Sequence, residues 1–244
     1  MKRSDLLLVF IRSLSIQASF NFWRMQNLGF AFTMLPLIRR EAGDRKRFSQ
    51  SLVRHLQMFN TQPYLSAPII GSVLTIEEQG GAIEADHLKV ALMGPYAGIG
   101  DAFFWGALRS FASVGASILA LSGVLLAPLL YLLLYNPPHL WVRLRGFWEG
   151  YKMGKSGIDF IRGLDLPGVA GRIRLATLVL IGILTAVAAE AFHQKLFFPS
   201  EIWVKAVAVA LIVLCFLSIR GGISSIKILY GITFLCMVLS VCYG

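Results

Sequence analysis

Asp101 is the first residue whose type and setting demand a chemical account, because it is the one carboxylate in the largely apolar stretch 88–108. A carboxylate taken to mid-membrane costs a few kcal/mol, so it faces a cavity or a partner. Two readings stand open. In one, Asp101 accepts hydrogen bonds from backbone N–H groups freed by Gly98 and Gly100, or pairs with Arg109; in the other, it accepts from a hydroxyl-bearing substrate. A second feature is the polar triplet Asn60-Thr61-Gln62, set just before Pro63 in another apolar stretch. Amide side chains both donate and accept, which suits sugar hydroxyls without burying a charge. The bland alternative is a cap on a helix that starts at the proline turn. Glu77-Glu78 reads either as the rim of a cavity or, preferred, as the solvated end of a hairpin.

Catalytic patterns are missing from the sequence. His55, His87, His139 and His193 have no metal spacing and no neighbouring nucleophile, and each falls near a segment boundary where a partly wet imidazole is unremarkable. Gly98-Ile99-Gly100 lacks the third glycine of a dinucleotide loop, and no Walker lysine follows. Cys215, Cys236 and Cys242 form no CxxC pair and read as small packing residues. The expectation is a chain without catalytic residues, cofactor or metal. Any energy for transport is supplied by another chain or an ion gradient.

These residues must be held by elements suited to lipid. Of the 244 residues, 56% are hydrophobic and 15% charged, against about 45–50% and 25% in a soluble domain; the mean hydropathy is +0.67. That composition excludes an ordinary soluble enzyme, a disordered chain and a small disulfide scaffold. The net charge of +10 sits between apolar runs, as in cytoplasmic loops, which argues against nucleic acid as partner. No secretory signal is convincing, since Arg12 cuts the apolar stretch 6–11 and no cleavage site follows.

The pattern predicts an all-α integral membrane protein with an N-terminal amphipathic helix, re-entrant helical hairpins and several transmembrane helices. Residues 1–54 hold the amphipathic stretch 6–23, an apolar segment 25–38 closed by Pro36, and a basic run through Arg54. Residues 55–108 hold two apolar segments interrupted by Pro63, Pro68, Gly71, Gly94-Pro95, Gly98 and Gly100. Interrupted backbone at membrane depth survives only when packed in protein or lining a cavity, so 55–108 reads as paired re-entrant hairpins around a transport site. Residues 109–244 hold expected spans at 113–135, 175–189, 202–219 and 223–243, with a basic loop 136–174 after Asn136-Pro137-Pro138 and a turn at Phe197-Phe198-Pro199-Ser200. Basic residues place 39–54, 136–174 and 220–222 inside, the N-terminus in the cytoplasm and the C-terminus outside.

Several strings then resemble the enzyme IID component of the mannose/fructose/sorbose-type bacterial phosphotransferase system, including its N-acetylgalactosamine members. They are 24–30 (Arg24-Met25-Gln26-Asn27-Leu28-Gly29-Phe30), Arg54-His55-Leu56, 59–64 (Phe59-Asn60-Thr61-Gln62-Pro63-Tyr64), Glu77-Glu78-Gln79, 93–101 from Met93-Gly94-Pro95 to Asp101, and Gly150-Tyr151-Lys152-Met153-Gly154. Order and spacing agree over roughly residues 10–155. The resemblance implies a non-catalytic permease subunit in the bacterial inner membrane. It implies pairing with a IIC subunit as a trimer of heterodimers, with elevator-like motion of a sugar-bearing core. Cytoplasmic IIA and IIB units would relay phosphate and phosphorylate a hexose or amino sugar as it arrives. Within that scheme the residues singled out above, Asn60, Thr61, Gln62 and Asp101, are the substrate-binding candidates, and Glu77 and Glu78 the candidate cavity rim. Gln62 stands where many members have His, and Trp23 where an acidic residue is common. The basic loops would dock IIB, with anionic membrane lipid as the simpler partner. Alternatives are an ion-coupled secondary transporter subunit and an assembly scaffold for IIC without sugar contact.

Overall fold

A computed structural model describes residues 1–193 and 202–243, and among these the chain is helical, with two isolated bridges in place of strands. Contacts divide it into two units, 1–189 and 190–244. The expected turn at 197–200 lies outside the described residues.

The first unit opens with α1 (Arg3–Ser13) and α2 (Asn27–Glu41), antiparallel to one another. The helix expected over 6–23 stops at Ser13 and gives way to turns. Ser13 and Ser15 explain the stop, because their hydroxyls donate to the carbonyls of Phe10 (2.6 Å) and Arg12 (2.9 Å) and compete with helix continuation. Pro36 does not close α2 as expected; the helix runs on to Glu41. A proline in a helix deprives the carbonyl four residues earlier of its donor. Here that carbonyl belongs to Phe32, and the Arg12 guanidinium supplies the missing N–H at 3.1 Å.

The basic run forms α3 (Arg45–His55), capped by Asp44, whose carboxylate accepts the Arg47 N–H at 2.7 Å. The first interrupted segment is a loop over 57–65 followed by α4 (Ser66–Glu78). Pro68 lies in the first turn of α4, where no intrahelical partner is owed. A turn at Gly80, with φ +80, then starts α5 (Ala82–Gly100).

The second interrupted segment is not broken at all, which corrects the paired re-entrant reading. Helix α5 passes through Pro95 into a π-helical stretch, Asp101–Leu108, and on into α6 (Arg109–Leu121), a continuous 40-residue helix. Proline removes one donor, whereas unwinding in an apolar setting would strand several. Within the π stretch the carbonyl of Ala102 accepts from Arg174 at 3.2 Å.

The span expected over 113–135 is divided. Gly123, with φ +82, ends α6; the Val124 N–H reaches the Leu119 carbonyl (2.9 Å) and the Gly123 N–H that of Ala120 (3.1 Å). Such a pair of bonds closes a helix around a left-handed glycine. Next, α7 (Ala127–Met153) runs straight through Pro137-Pro138, so most of 136–174 is helix and not loop. A short 3₁₀ turn, then α8 (Ile158–Gly163) and α9 (Leu166–His193), follow; α9 contains the expected span 175–189.

In the second unit, α10 (Ile202–Arg220) and α11 (Ser225–Tyr243) coincide with the last two expected spans and meet at Gly222, φ +84. Two stretches, Ala82–Leu121 and Ala127–Ala188, are long and apolar enough to cross a membrane.

The centre of the first unit is α4, with 11 of its 13 residues buried. It lies so close to α7 that a Cβ on Gly71 would be 2.3 Å from the Phe147 carbonyl oxygen, and one on Gly150 2.3 Å from that of Pro68. Only glycine at both positions allows this crossing. That requirement is the physical content of the string from Gly150 to Gly154.

Candidate functional site

The loop 57–65 carries the predicted triplet, and an amide-rich brace fixes it. Met25 sits in the left-handed region at φ 57, unusual for a residue with a side chain. That conformation lets it bridge Asn21 on one side and Phe59 on the other. Asn21 donates to the Asn27 side chain at 2.7 Å, and Asn27 donates to the Leu56 carbonyl at 2.8 Å. Gln26 then holds Thr61 twice: its amide N–H donates to the Thr61 carbonyl (2.7 Å) and its carbonyl accepts the Thr61 N–H (3.2 Å). The backbone N–H of Gln26 donates to the Phe59 carbonyl at 2.8 Å.

Thr61 and Gln62, 3% and 1% exposed, are thereby fixed in the interior. The Gln62 side-chain carbonyl accepts the N–H groups of Tyr64 (2.6 Å) and Leu65 (3.3 Å), which closes the turn ahead of α4 and is not the expected cap, since the start of α4 receives no side-chain hydrogen bond. It does not use up the residue, since the Gln62 Nε2 and the Thr61 Oγ1 are buried without a partner among the described residues. A buried donor left unmade costs about 1–3 kcal/mol. Gln62 packs where a Cβ on Gly100 would lie 2.5 Å from its own Cβ, so the last glycine of the 93–101 string makes room for it. Tyr96 is one turn earlier on the same face of α5, and its buried hydroxyl is likewise unpartnered among the described residues. Asn60 is half-buried beside them.

Asp101 is not brought to these groups. It is exposed, and among the described residues neither Arg109 nor a freed backbone N–H pairs with it. With Gly94 and Gly98 it forms an outward face of the long helix, and nothing lies within 4 Å of where either glycine's Cβ would be.

Glu77 and Glu78 are not a solvated hairpin end. Glu77 is buried, receives Arg54 at both oxygens (2.6 and 3.1 Å), and lies 3.2 Å from the His55 Nε2. Burial pushes its carboxyl up, but His55 and Arg54 outweigh that and hold it below the ordinary glutamate range. Glu78 receives Arg40 (2.8 Å), the Tyr151 hydroxyl (2.8 Å) and the Met1 amino group. Burial raises its carboxyl too, and these donors more than reverse the shift. The pair belongs to ion clusters that tie α2 and α3 to the end of α4. His55 is fully buried, against the expectation of a partly wet boundary residue.

Sequence reasoning missed Gln26, Tyr96, Lys89 and the group around Tyr64. Lys89 is a buried cation within the apolar stretch, its Nζ 4.9 Å from the Phe30 ring centroid, and its charge alone was a usable signal. Tyr64 stacks on His139 at 4.2 Å, bonds the Tyr135 hydroxyl at 3.0 Å, and lies 4.8 Å beneath the Arg143 guanidinium. The His139 Nδ1 and Arg143 Nε are also buried without partners among the described residues. No spacing in the sequence points to that cluster, because it forms only when the loop meets α7. Trp23 is 85% exposed and packs on no core of this unit.

Comparison with known proteins agrees with the strings. Residues 1–243 match the profile of the PTS system mannose/fructose/sorbose family IID component. The mannose-specific EIID component of Escherichia coli K12 is 46% identical over 66% of this chain and 59% of its own length. The fructose permease IID component of Bacillus subtilis is 35% identical over 75% of this chain and 69% of its own. The sorbose-specific EIID component of Klebsiella pneumoniae is 38% identical over the same shares. The chain thus spans about three fifths of the mannose-specific relative. A cryo-EM structure of the mannose transporter ManYZ with microcin E492 is 32% identical, covers 100% of this chain and 97% of that one, and superposes with a TM-score of 0.59. A second structure, described as a membrane protein, reaches 0.71 at 32% identity, over 99% and 97%. The chain belongs to the mannose/fructose/sorbose family of phosphotransferase-system IID components.

Proposed function

We propose that this chain is the IID subunit of a phosphoenolpyruvate-dependent sugar transporter, pairing with a IIC subunit to move a hexose or amino sugar that IIB phosphorylates on arrival. The observation that carries the reading is the pair of buried, unpartnered donors at Thr61 and Gln62 on a loop braced by Gln26, with the unpartnered Tyr96 hydroxyl on α5. A polyol supplies acceptors and donors in kind, and each neutral hydrogen bond contributes about 0.5–1.5 kcal/mol net. Bonds of that size hold a sugar without trapping it. Phosphorylation would trap it, by adding roughly two negative charges.

Asp101 takes a different part in this scheme. Its outward face, shared with Gly94 and Gly98, suits contact with the IIC chain. Assembly as a trimer of heterodimers, relay through IIA and IIB, placement in the inner membrane, and a cytoplasmic N-terminus with an external C-terminus belong to the same proposal.

Vesicles carrying the IIC–IID pair test it. Uptake is expected to require phosphoenolpyruvate and the soluble phosphocarriers, and Gln62→Ala is expected to lower uptake at least tenfold while the two chains still co-purify. Uptake driven by an ion gradient alone would favour an ion-coupled carrier. Equal loss of uptake and co-purification would make Gln62 structural.

A further inference from the structure

Away from the loop 57–65, the groove between α1 and α2 has a volume of about 490 Å³ and is lined by four cations, Lys2, Arg12, Arg39 and Arg40, against the one carboxylate of Asp5. Two of the cations are occupied. Arg12 donates to the Phe32 carbonyl and lies 4.5 Å from the Phe32 ring centroid, while Arg40 donates to Glu78. Lys2 and Arg39 are exposed, and among the described residues neither has an ion-pair partner.

The groove also has an apolar side. Helix α1 buries Leu6 and Val9 inward, yet leaves Leu7, Leu8 and Ile11 exposed outward. Leu8 belongs both to that outward stripe and to the groove lining. Two free cations therefore adjoin a strip of aliphatic surface, the arrangement that fits an anion bearing a hydrocarbon chain. A free phosphate would use the cations and leave the stripe without a role.

We infer that this groove is a binding site for an acidic glycerophospholipid, with its phosphodiester held by Lys2 and Arg39 and an acyl chain lying along Leu7, Leu8 and Ile11. The site depends on the chain residing in a membrane, and not on the identity or the transport of any sugar.

The test uses the IIC–IID complex, stripped of lipid in detergent and titrated with phosphatidylglycerol under native mass spectrometry. The complex is expected to retain phosphatidylglycerol in preference to phosphatidylcholine, and millimolar inorganic phosphate is expected not to displace it. A basic side chain near an anionic lipid surface contributes about fivefold in affinity, so Lys2→Gln with Arg39→Gln should weaken retention roughly 25-fold. Arg45→Gln with Lys46→Gln removes the same charge from exposed positions on α3 and should change little. Leu7→Ser with Ile11→Ser should also weaken retention, with the cations intact. The inference is overturned if the groove pair retains lipid like the parent, if the α3 pair loses as much, or if phosphate or phosphatidylcholine displaces the lipid. Both groove residues are exposed, and continued co-purification of the two subunits reports that the fold is intact.

Discussion

The two arms of the hairpin, α4 and α5, look alike in sequence, since each is an apolar run punctuated by glycine and proline. In the structure they are opposites. Helix α4 buries 11 of 13 residues, whereas α5 buries four of 19. Gly71 of α4 is filled by the backbone of α7, while Gly94 and Gly98 of α5 look onto open space. The same composition thus serves two purposes, a tight crossing inside the chain and a smooth face left for something outside it. In water an apolar face of that kind would be a liability; beside lipid or a second apolar subunit it is a surface for contact.

The sharpest way to break the inner arm is to fill its crossing. Gly150→Leu would drive a side chain into the Pro68 carbonyl oxygen, 2.3 Å from the new Cβ, with Ser72 backbone 3.0 Å away. Overpacking ordinarily costs about 1–3 kcal/mol because side chains yield; here the obstacle is backbone, and the cost should exceed that range. The expected result is loss of detergent-stable protein and of all uptake. Survival of the variant with normal melting would mean that α4 and α7 do not cross this closely.

Next in size is the ion cluster that anchors the end of α4. Removing one partner of a buried pair costs about 3–5 kcal/mol, so Arg54→Ala should lower the melting temperature markedly and Glu77→Gln by less. The pH dependence has a definite sign. Glu77 and Glu78 are held below their ordinary range in the fold, so their contribution is complete above the ordinary glutamate value, about 4.3. It is lost as pH falls through the lowered folded values. Thermal melts from pH 7 to pH 3 should show this acid loss, flattened in Glu77→Gln. An unchanged acid limb would remove the cluster from the stability of the hairpin.

What the sequence revealed follows the same inner and outer division. Asn60-Thr61-Gln62 and Glu77-Glu78 were legible because polar residues in apolar runs need a reason, and three of these five prove buried, with Asn60 and Glu78 half-buried. Asp101 was legible by the same rule, but its direction was not. One residue of helical phase separates it from Gly100, and that step turns it outward. Breaks in the helices were misjudged at Pro36, Pro95 and Pro137-Pro138. A proline's cost depends on whether another group meets the freed carbonyl, as Arg12 does for Phe32, and that donor lies 20 residues away in sequence. Gln26 escaped notice for a similar reason, since its partner Thr61 is 35 residues distant.

The brace on the loop 57–65 predicts an effect of intermediate size. Gln26→Ala removes both hydrogen bonds to Thr61, and at about 0.5–1.5 kcal/mol each the fold should survive with a modest drop in melting temperature. Uptake should fall more steeply than stability, through a raised half-saturation concentration, because the loop would no longer hold Thr61 and Gln62 in register. Gln26→Glu keeps one acceptor and should recover part of the loss. If affinity for sugar is untouched in Gln26→Ala, the brace is structural only.

The outer arm offers the gentlest test and the one that separates it most cleanly from the inner. Gly98→Ala adds a methyl group where no atom lies within 4 Å, so nothing in this chain opposes it. Replacing glycine by alanine within a helix favours the helix by up to about 1 kcal/mol, and the isolated chain should melt unchanged or slightly higher. If a second subunit packs on the face of Gly94, Gly98 and Asp101, the same methyl group should weaken co-purification, and Gly98→Leu should weaken it further. A stability gain in the chain combined with a loss of assembly is an outcome that no defect of folding can imitate. Full retention of the partner in Gly98→Leu would leave that face to lipid, and would place the subunit contact elsewhere on the chain.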